Sequence, residues 1–576
     1  MIRPSATAPQ QGTSDRETVL VLVDEIGAGG LPDRTRALLR ALCAFVRPIL
    51  VAQRYGKPPW RIGKAPWAEE AYAFPAQNYN ASVKRFAADL VRHHAPAWVL
   101  AYGWENTQLV VELSERDVPI LVFADYVSLN PNAEGQLGWA SYFADRIVLP
   151  EAILLHAKFA FRAGASPHGA LASRFRVFDA PEAIPKPRRF GGLLASRSDV
   201  GDRLDVARRL IEVGRQTVVE RTRLAARLHR DAATIEAAGV FDAGLAVPPR
   251  DAADTQSAIL AYLRMSHRLA PLDREGVGPI LRRPMAGFHP LVYATDCAGF
   301  DYAADEDPFA HFLRSGRPKG RWTHQIIAPR ADPVPRAELR VALHAHMHYP
   351  EFLPELLERV AINATPVDLF ITTTSEERRA EIADFLDRAG IAPAMLLSEP
   401  SNRGRDIWPF LALLGAGAFA GYDVVGHVHG KRSPAHEAGM AWKDFLWRHL
   451  VGGPEAMMDR ILAAFARAPR IGLVIAEDPH LESWAGNKAI ASDLAARLGI
   501  APPLPAYFEF PVGTMFWTRP EAMAPLVDLH LTPDMIPPEP LPADGTLLHA
   551  LERLVPFVAE KAGFEVSAAY VPGCAR

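Results

Sequence analysis

Cysteine is scarce: Cys43, Cys297 and Cys574 are the three in 576 residues. Their wide spacing excludes a disulfide framework or a Cys-rich zinc module, and a reducing compartment is the natural reading. No stretch reaches the roughly 20 uninterrupted apolar residues that a bilayer crossing needs. An excess of either charge is lacking too, since Lys+Arg 63 against Asp+Glu 66 leaves a formal net charge of -3. That removes the global reason to expect a nucleic-acid partner. There is no tandem repeat of fixed period, which argues against a solenoid. Residues 1–16 are polar without an apolar signal core, so they read as a disordered lead and export by that route is not expected. What is present is 49% hydrophobic and 22% charged residues, the balance of a folded soluble protein, long enough for two to four domains.

Residues 17–189 alternate short apolar runs with helical stretches. TVLVLVDEI (Thr18–Ile26) reads as a buried strand, and Gly27-Ala28-Gly29-Gly30 as a turn before a helix beginning near Pro32. Further strands are expected at Pro48–Ala52, Trp98–Tyr102, Pro119–Ala124 and Asp145–Leu149, with a helix at Ala81–His94. This alternation predicts a parallel, doubly wound sheet. Residues 190–284 are rich in Ala, Arg, Leu and Glu and read as a helical connector with solvated arginines. Residues 285–336 hold a small aromatic module around Asp307-Pro308-Phe309-Ala310-His311-Phe312, followed by a proline-spaced linker. Residues 337–576 return to strand–helix alternation. The fold class expected is α/β, with two Rossmann-like domains joined by the connector.

Chemistry-bearing residues collect at expected strand ends, where open α/β sheets bind ligands. Asn402-Arg403-Gly404-Arg405-Asp406 follows one strand and opens a helix. Its arginines suit bidentate phosphate contact, and Asp406 suits a ribose, sugar or base; the plain alternative is an N-cap with solvated arginines. His427 and His429 share one face of an apolar strand, and Lys431 and Arg432 follow directly. Two cations can stabilise a departing diphosphate without a metal; a hydrogen-bonded strand pair beside a basic loop is the alternative. His344, His346 and His348 alternate in the same way. They invite a zinc reading, a substrate contact, or ordinary packing, but neither HExxH nor a cysteine pair accompanies them. Gly513 and Thr514 kink an aromatic strand able to line a sugar pocket or simply a core. Asp544 opens the last strong helix, as a base toward an acceptor hydroxyl or as its N-cap. The Gly27–Gly30 turn suits anion binding but lacks GxGxxG, and a structural turn is favoured.

DLFITTTSEE, NRGRDIWPFL, YDVVGHVHGKRS, Trp442-Lys443-Asp444-Phe445-Leu446, FPVGTMFWTRPEAM and DGTLLHALERL occur in that order over more than two hundred residues. Together they resemble the rhamnan-synthesis F family of bacterial polysaccharide glycosyltransferases. The resemblance implies a GT-A-like sheet and transfer of a sugar from a nucleotide donor, dTDP-rhamnose or a related deoxysugar, to a lipid-linked or nascent cell-surface glycan. An acidic DxD metal motif is missing where HVHGKRS stands. A divalent metal is therefore not favoured, and no other cofactor is assigned. The first region resembles, more loosely, the N-terminal half of GT-B glycosyltransferases, here as an acceptor-binding or degenerate domain. The expectation is a cytoplasmic enzyme, with peripheral association at the inner membrane face left open. The alternatives carried are a non-catalytic glycan-binding scaffold and a metal-dependent carbohydrate hydrolase or deacetylase.

Overall fold

The computed structural model describes residues 16–25, 33–54, 70–75, 81–103, 107–123, 144–150, 175–178, 188–190, 193–195, 203–248, 254–269, 281–300, 306–332, 334, 336–399, 403–430, 438–539, 541–542 and 544–574. Gly27–Gly30, Asn402, Lys431 and Arg432 lie outside them. The chain forms two α/β units: one made of residues 1–228 with 268–279, the other of residues 229–267 with 280–576. The stretch 190–284, read from sequence as a connector, is thus shared between the units, and its Arg203–Ala238 portion is one 36-residue helix.

In the first unit the strands are β1 (Thr18–Glu25), β2 (Arg47–Arg54), β3 (Glu70–Pro75), β4 (Trp98–Tyr102), β5 (Ile120–Phe123), β6 (Arg146–Pro150) and β7 (Phe175–Phe178). They form one sheet of order β3-β2-β1-β4-β5-β6-β7, parallel at every pairing. This is the 3-2-1-4-5-6 order of dinucleotide-binding folds with a strand added. Both faces are covered, which is why these strands are continuous apolar runs: Leu20, Leu22, Val99 and Ala101 point into one core, Val19, Val21, Val23, Trp98 and Leu100 into the other. Gly214 is set against the Trp98 indole, where a Cβ would come within 2.6 Å. Two short strands, β8 (Arg188–Phe190) and β9 (Leu193–Ala195), pair antiparallel by themselves.

The second unit is built on β10 (Gln325–Ile327), β11 (Val341–His346), β12 (Asp368–Thr373), β13 (Met395–Ser398), β14 (Val424–His429), β15 (Ile471–Ala476), β16 (Phe516–Thr518) and β17 (Glu565–Ala569). Their order is β10-β17-β15-β16-β14-β11-β12-β13. Only β16 runs antiparallel, against both β14 and β15. From β11 the chain winds outward through β12 and β13, then returns to lay β14 on the other side of β11. The topological switch point therefore falls between the carboxyl ends of β11 and β14.

Alternation along β11 sends Val341, Leu343 and Ala345 into one core, beneath helices Leu353–Ala361, Glu376–Ala389, Ala438–Leu450 and Met457–Arg467. The opposite core takes Ala342, Phe370, Phe410, Val425 and Phe516, beneath helices Ile407–Gly415, Lys488–Arg497 and Leu547–Lys561. His344 and His346 necessarily face this second side, as do His427 and His429 across the ladder. Ser375 caps its helix, accepting from the Arg378 amide at 3.2 Å. In the aromatic segment Asp307 accepts from the Phe309 and Ala310 amides, and Phe288 stacks on Phe312 with centroids 4.2 Å apart.

Candidate functional site

The parallel register of β11 and β14 sets His344 beside His427 and His346 beside His429. Two sequence motifs 83 residues apart thus become one patch of four imidazoles at the switch point. His344 and His427 are fully buried and His346 is 4% exposed. Their rings are linked edge to edge. His344 Nδ1 lies 2.9 Å from His427 Nδ1, and His344 Nε2 lies 2.9 Å from Thr372 Oγ1, which is also 2.9 Å from His346 Nδ1. Thr372 stands at the matching position of β12. Burial pushes His346 down to about 3 and His344 well below the ordinary histidine value, so both rings are neutral.

Asp406 completes the cluster. It occupies the N-cap position of helix Ile407–Gly415, yet its side chain makes no capping hydrogen bond. Instead Oδ2 lies 3.6 Å from His427 Nε2 and 3.8 Å from His429 Nε2. Burial alone would raise its pKa, but His429 and the His427 N–H outweigh burial and hold the carboxyl below the ordinary range. The helix N-terminus favours the same ionised form. Gly404 makes the approach feasible: its φ is +78° and a Cβ would fall 2.4 Å from that of Trp408. Arg405 also adopts a positive φ, 51°. Three buried polar atoms here, His346 Nε2, His427 Nε2 and Asp406 Oδ2, have no hydrogen-bond partner.

The antiparallel strand brings in the next layer. His429 Nε2 donates to the Gly513 carbonyl at 2.7 Å. The Gly513 amide in turn donates to Glu552 Oε1 at 2.7 Å, and Thr514 Oγ1 stands 3.3 Å from the same oxygen. Gly513 and Thr514 both have positive φ, so this loop is bent into place and gripped by a carboxylate on the last helix.

The predicted residues thus divide. Asp406, His427, His429 and Gly513 converge, with Thr514 one step away. Arg403 and Arg405 sit on the same loop but reach an acidic neighbour segment: Arg405 pairs with Glu539 through two contacts of 2.8 and 3.3 Å, and Arg403 lies 3.5 Å from Asp534. Asp544 accepts from Asn487 Nδ2 at 2.6 Å and from the Gly486 amide at 3.1 Å. Thr546 is the cap of the last helix, so the N-cap alternative for Asp544 does not hold. Thr372 was not singled out from sequence. Its signal is the Thr run at the end of β12, which acquires meaning only once β12 lies beside β11. Among the described residues no group of three or more His, Cys, Asp or Glu side chains has the arrangement of a metal centre. His344, central to the zinc reading, spends both nitrogens on His427 and Thr372.

A parallel-dominated sheet covered by helices, with a carboxylate and imidazoles gathered at its switch point, defines an α/β domain. Residues 310–564 match the family described as rhamnan synthesis protein F. The chain is also 34% identical over 230 residues to the uncharacterized protein WxcX from each of two strains of Xanthomonas campestris pv. campestris. The alignment covers 39% of this chain and 32% of WxcX, so the chain spans about a third of the length of the curated relatives it matches.

Proposed function

We propose that the chain is a glycosyltransferase of polysaccharide synthesis, moving rhamnose or a related deoxyhexose from a nucleotide donor to a lipid-linked or nascent glycan. The observation that carries this reading is the Asp406–His427–His429 cluster at the switch point, within the region matched to the rhamnan synthesis family. An acceptor hydroxyl oxygen attacks the anomeric carbon, the bond from that carbon to the diphosphate oxygen breaks, and the hydroxyl proton is lost. Asp544 is the base assigned from sequence. Lys431 and Arg432, directly after β14, are assigned to the charge developing on the diphosphate. No metal enters the step. Among the described residues no helix is long and apolar enough to cross a membrane, and action at the cytoplasmic membrane face remains part of the proposal.

The test is release of nucleoside diphosphate from dTDP-rhamnose and other nucleotide sugars by the purified chain in the presence of glycan acceptors. Turnover is expected in the wild type, with a loss of at least a hundredfold in Asp406→Asn. Absence of turnover with every donor, alongside retained glycan binding, would replace the enzyme with a scaffold. Activity abolished by EDTA and restored by manganese would overturn the metal-free step.

A further inference from the structure

Each neutral imidazole carries one N–H and one lone pair, so a hydrogen-bond chain through imidazoles runs in one direction. Asp406, ionised, can only accept. The atom of His427 turned toward it is Nε2, at 3.6 Å, and a lone pair there would face the carboxylate's own. His427 Nε2 therefore bears the hydrogen and its Nδ1 the lone pair. His344 must then donate from Nδ1 across 2.9 Å, leaving Nε2 to accept from the Thr372 hydroxyl. With its proton committed, Thr372 oxygen accepts from His346 Nδ1–H. The last atom of the chain, His346 Nε2, is left as a buried lone pair without a partner. A charged His427 would reverse the chain, but a buried imidazolium would close on Asp406 to about 2.8 Å, not stand at 3.6 Å.

The unpartnered atoms are thus two acceptors, His346 Nε2 and Asp406 Oδ2, and one donor, His427 Nε2–H. An anion is repelled by this set, since a carboxylate and a lone pair face it. A hydroxyl both donates and accepts, so neighbouring hydroxyls satisfy all three atoms. We propose that this cluster is the sugar subsite, with His346 Nε2 accepting from a pyranose hydroxyl, and that the diphosphate lies elsewhere. His346 and Asp406 touch the ligand; His344 and Thr372 are positioning residues that fix the direction of the chain. The inference rests on the glycosyltransferase reading and redirects one part of it, because the sequence places His429 with Lys431 and Arg432 on the diphosphate.

Two measurements test it. In full-length protein with 15N-labelled histidine, and with His346→Gln to assign the signal, His346 is expected to carry its hydrogen on Nδ1. Thr372→Val, close in shape but without the hydroxyl, should release that tautomer toward Nε2–H. A wild-type ring protonated on Nε2, or one indifferent to Thr372→Val, overturns the chain. In titration calorimetry, Thr372→Val and Asp406→Asn should weaken dTDP-rhamnose binding by about tenfold and leave dTDP binding unchanged. An equal loss for both ligands overturns the sugar assignment. If the wild type binds neither ligand, the glycosyltransferase reading falls, and the tautomer result still decides the chain.

Discussion

Arg283→Met is expected to destabilise the C-terminal unit by about 5 kcal/mol. Arg283 is 1% exposed, as is Glu477, 3.1 Å from its Nε. Its two terminal nitrogens each meet one oxygen of Glu509 at 2.8 Å, and it also donates to the carbonyls of Phe288 and Asp478. Glu477 is further held by the Gly287 amide and His324, both at 2.7 Å. Methionine keeps the aliphatic volume but leaves two carboxylates facing each other. Removing one partner of a buried ion pair costs about 3–5 kcal/mol, and each orphaned carbonyl adds about 1 kcal/mol. Against a domain stability of about 5–15 kcal/mol, that brings the unit close to unfolding. Urea titration followed by tryptophan fluorescence reads the loss as a lower midpoint at constant slope. Glu477→Gln added to Arg283→Met should recover at least about 2 kcal/mol, because the pair is coupled. A loss under about 1 kcal/mol, or strict additivity, would show that the cluster is solvated and the argument wrong. Its pH dependence has a definite sign. Burial opposes charge on His324, but Glu477 outweighs it and raises the histidine above 6.5. That stabilisation is complete below pH 6.5 and is lost as pH rises through the folded value. Burial likewise opposes charge on Glu477 and Glu509, yet Arg283 holds both below 4.5, so their contribution is present above pH 4.5 and lost as pH falls. The cluster is strongest between those limits.

Burial raises Asp307 to about 6, so the folded state retains its proton and loses stability as pH rises from 3.8 to 6. Asp307→Asn, still able to accept from the Phe309 and Ala310 amides, should remove a loss of about 3 kcal/mol between pH 4 and 7; parallel pH–stability curves for the two proteins would refute this. Gly513→Ala places a Cβ 2.9 Å from Leu446 Cδ1 at a φ of +85°. It should cost about 2 kcal/mol, measured by thermal unfolding, and shift the carbonyl that holds His429. A fully active, equally stable Ala variant would show that the bend is dispensable.

Much of the fold was legible because apolar runs report burial directly. Helix Ala81–His94 and strand Trp98–Tyr102 fall where the periodicity places them, and β1 and β5 fall within the runs read as strands. What was missed has short or interrupted patterns. β3 and β17 are half-polar edge or near-edge strands, and β10 hides in three residues next to the segment read as a linker. Helices Met457–Arg467 and Lys488–Arg497 were passed over between stronger signals. The site residues were legible as types: Asp406, His427, His429 and Gly513 stood out by motif and do come together.

By itself the sequence determined two α/β sheets and the family resemblance of the C-terminal region, since these depend on local pattern and order along the chain. Tertiary structure alone decided which side chains share a site. The reversal of β16 put the Gly513 carbonyl against His429, and the crossover from β13 to β14 put His427 beside His344. Rotation into the cluster, away from a cap position, gave Asp406 its partners. Register between strands 83 residues apart is set by the whole packed core, and only that core could turn two separate histidine pairs and one aspartate into a single buried cluster.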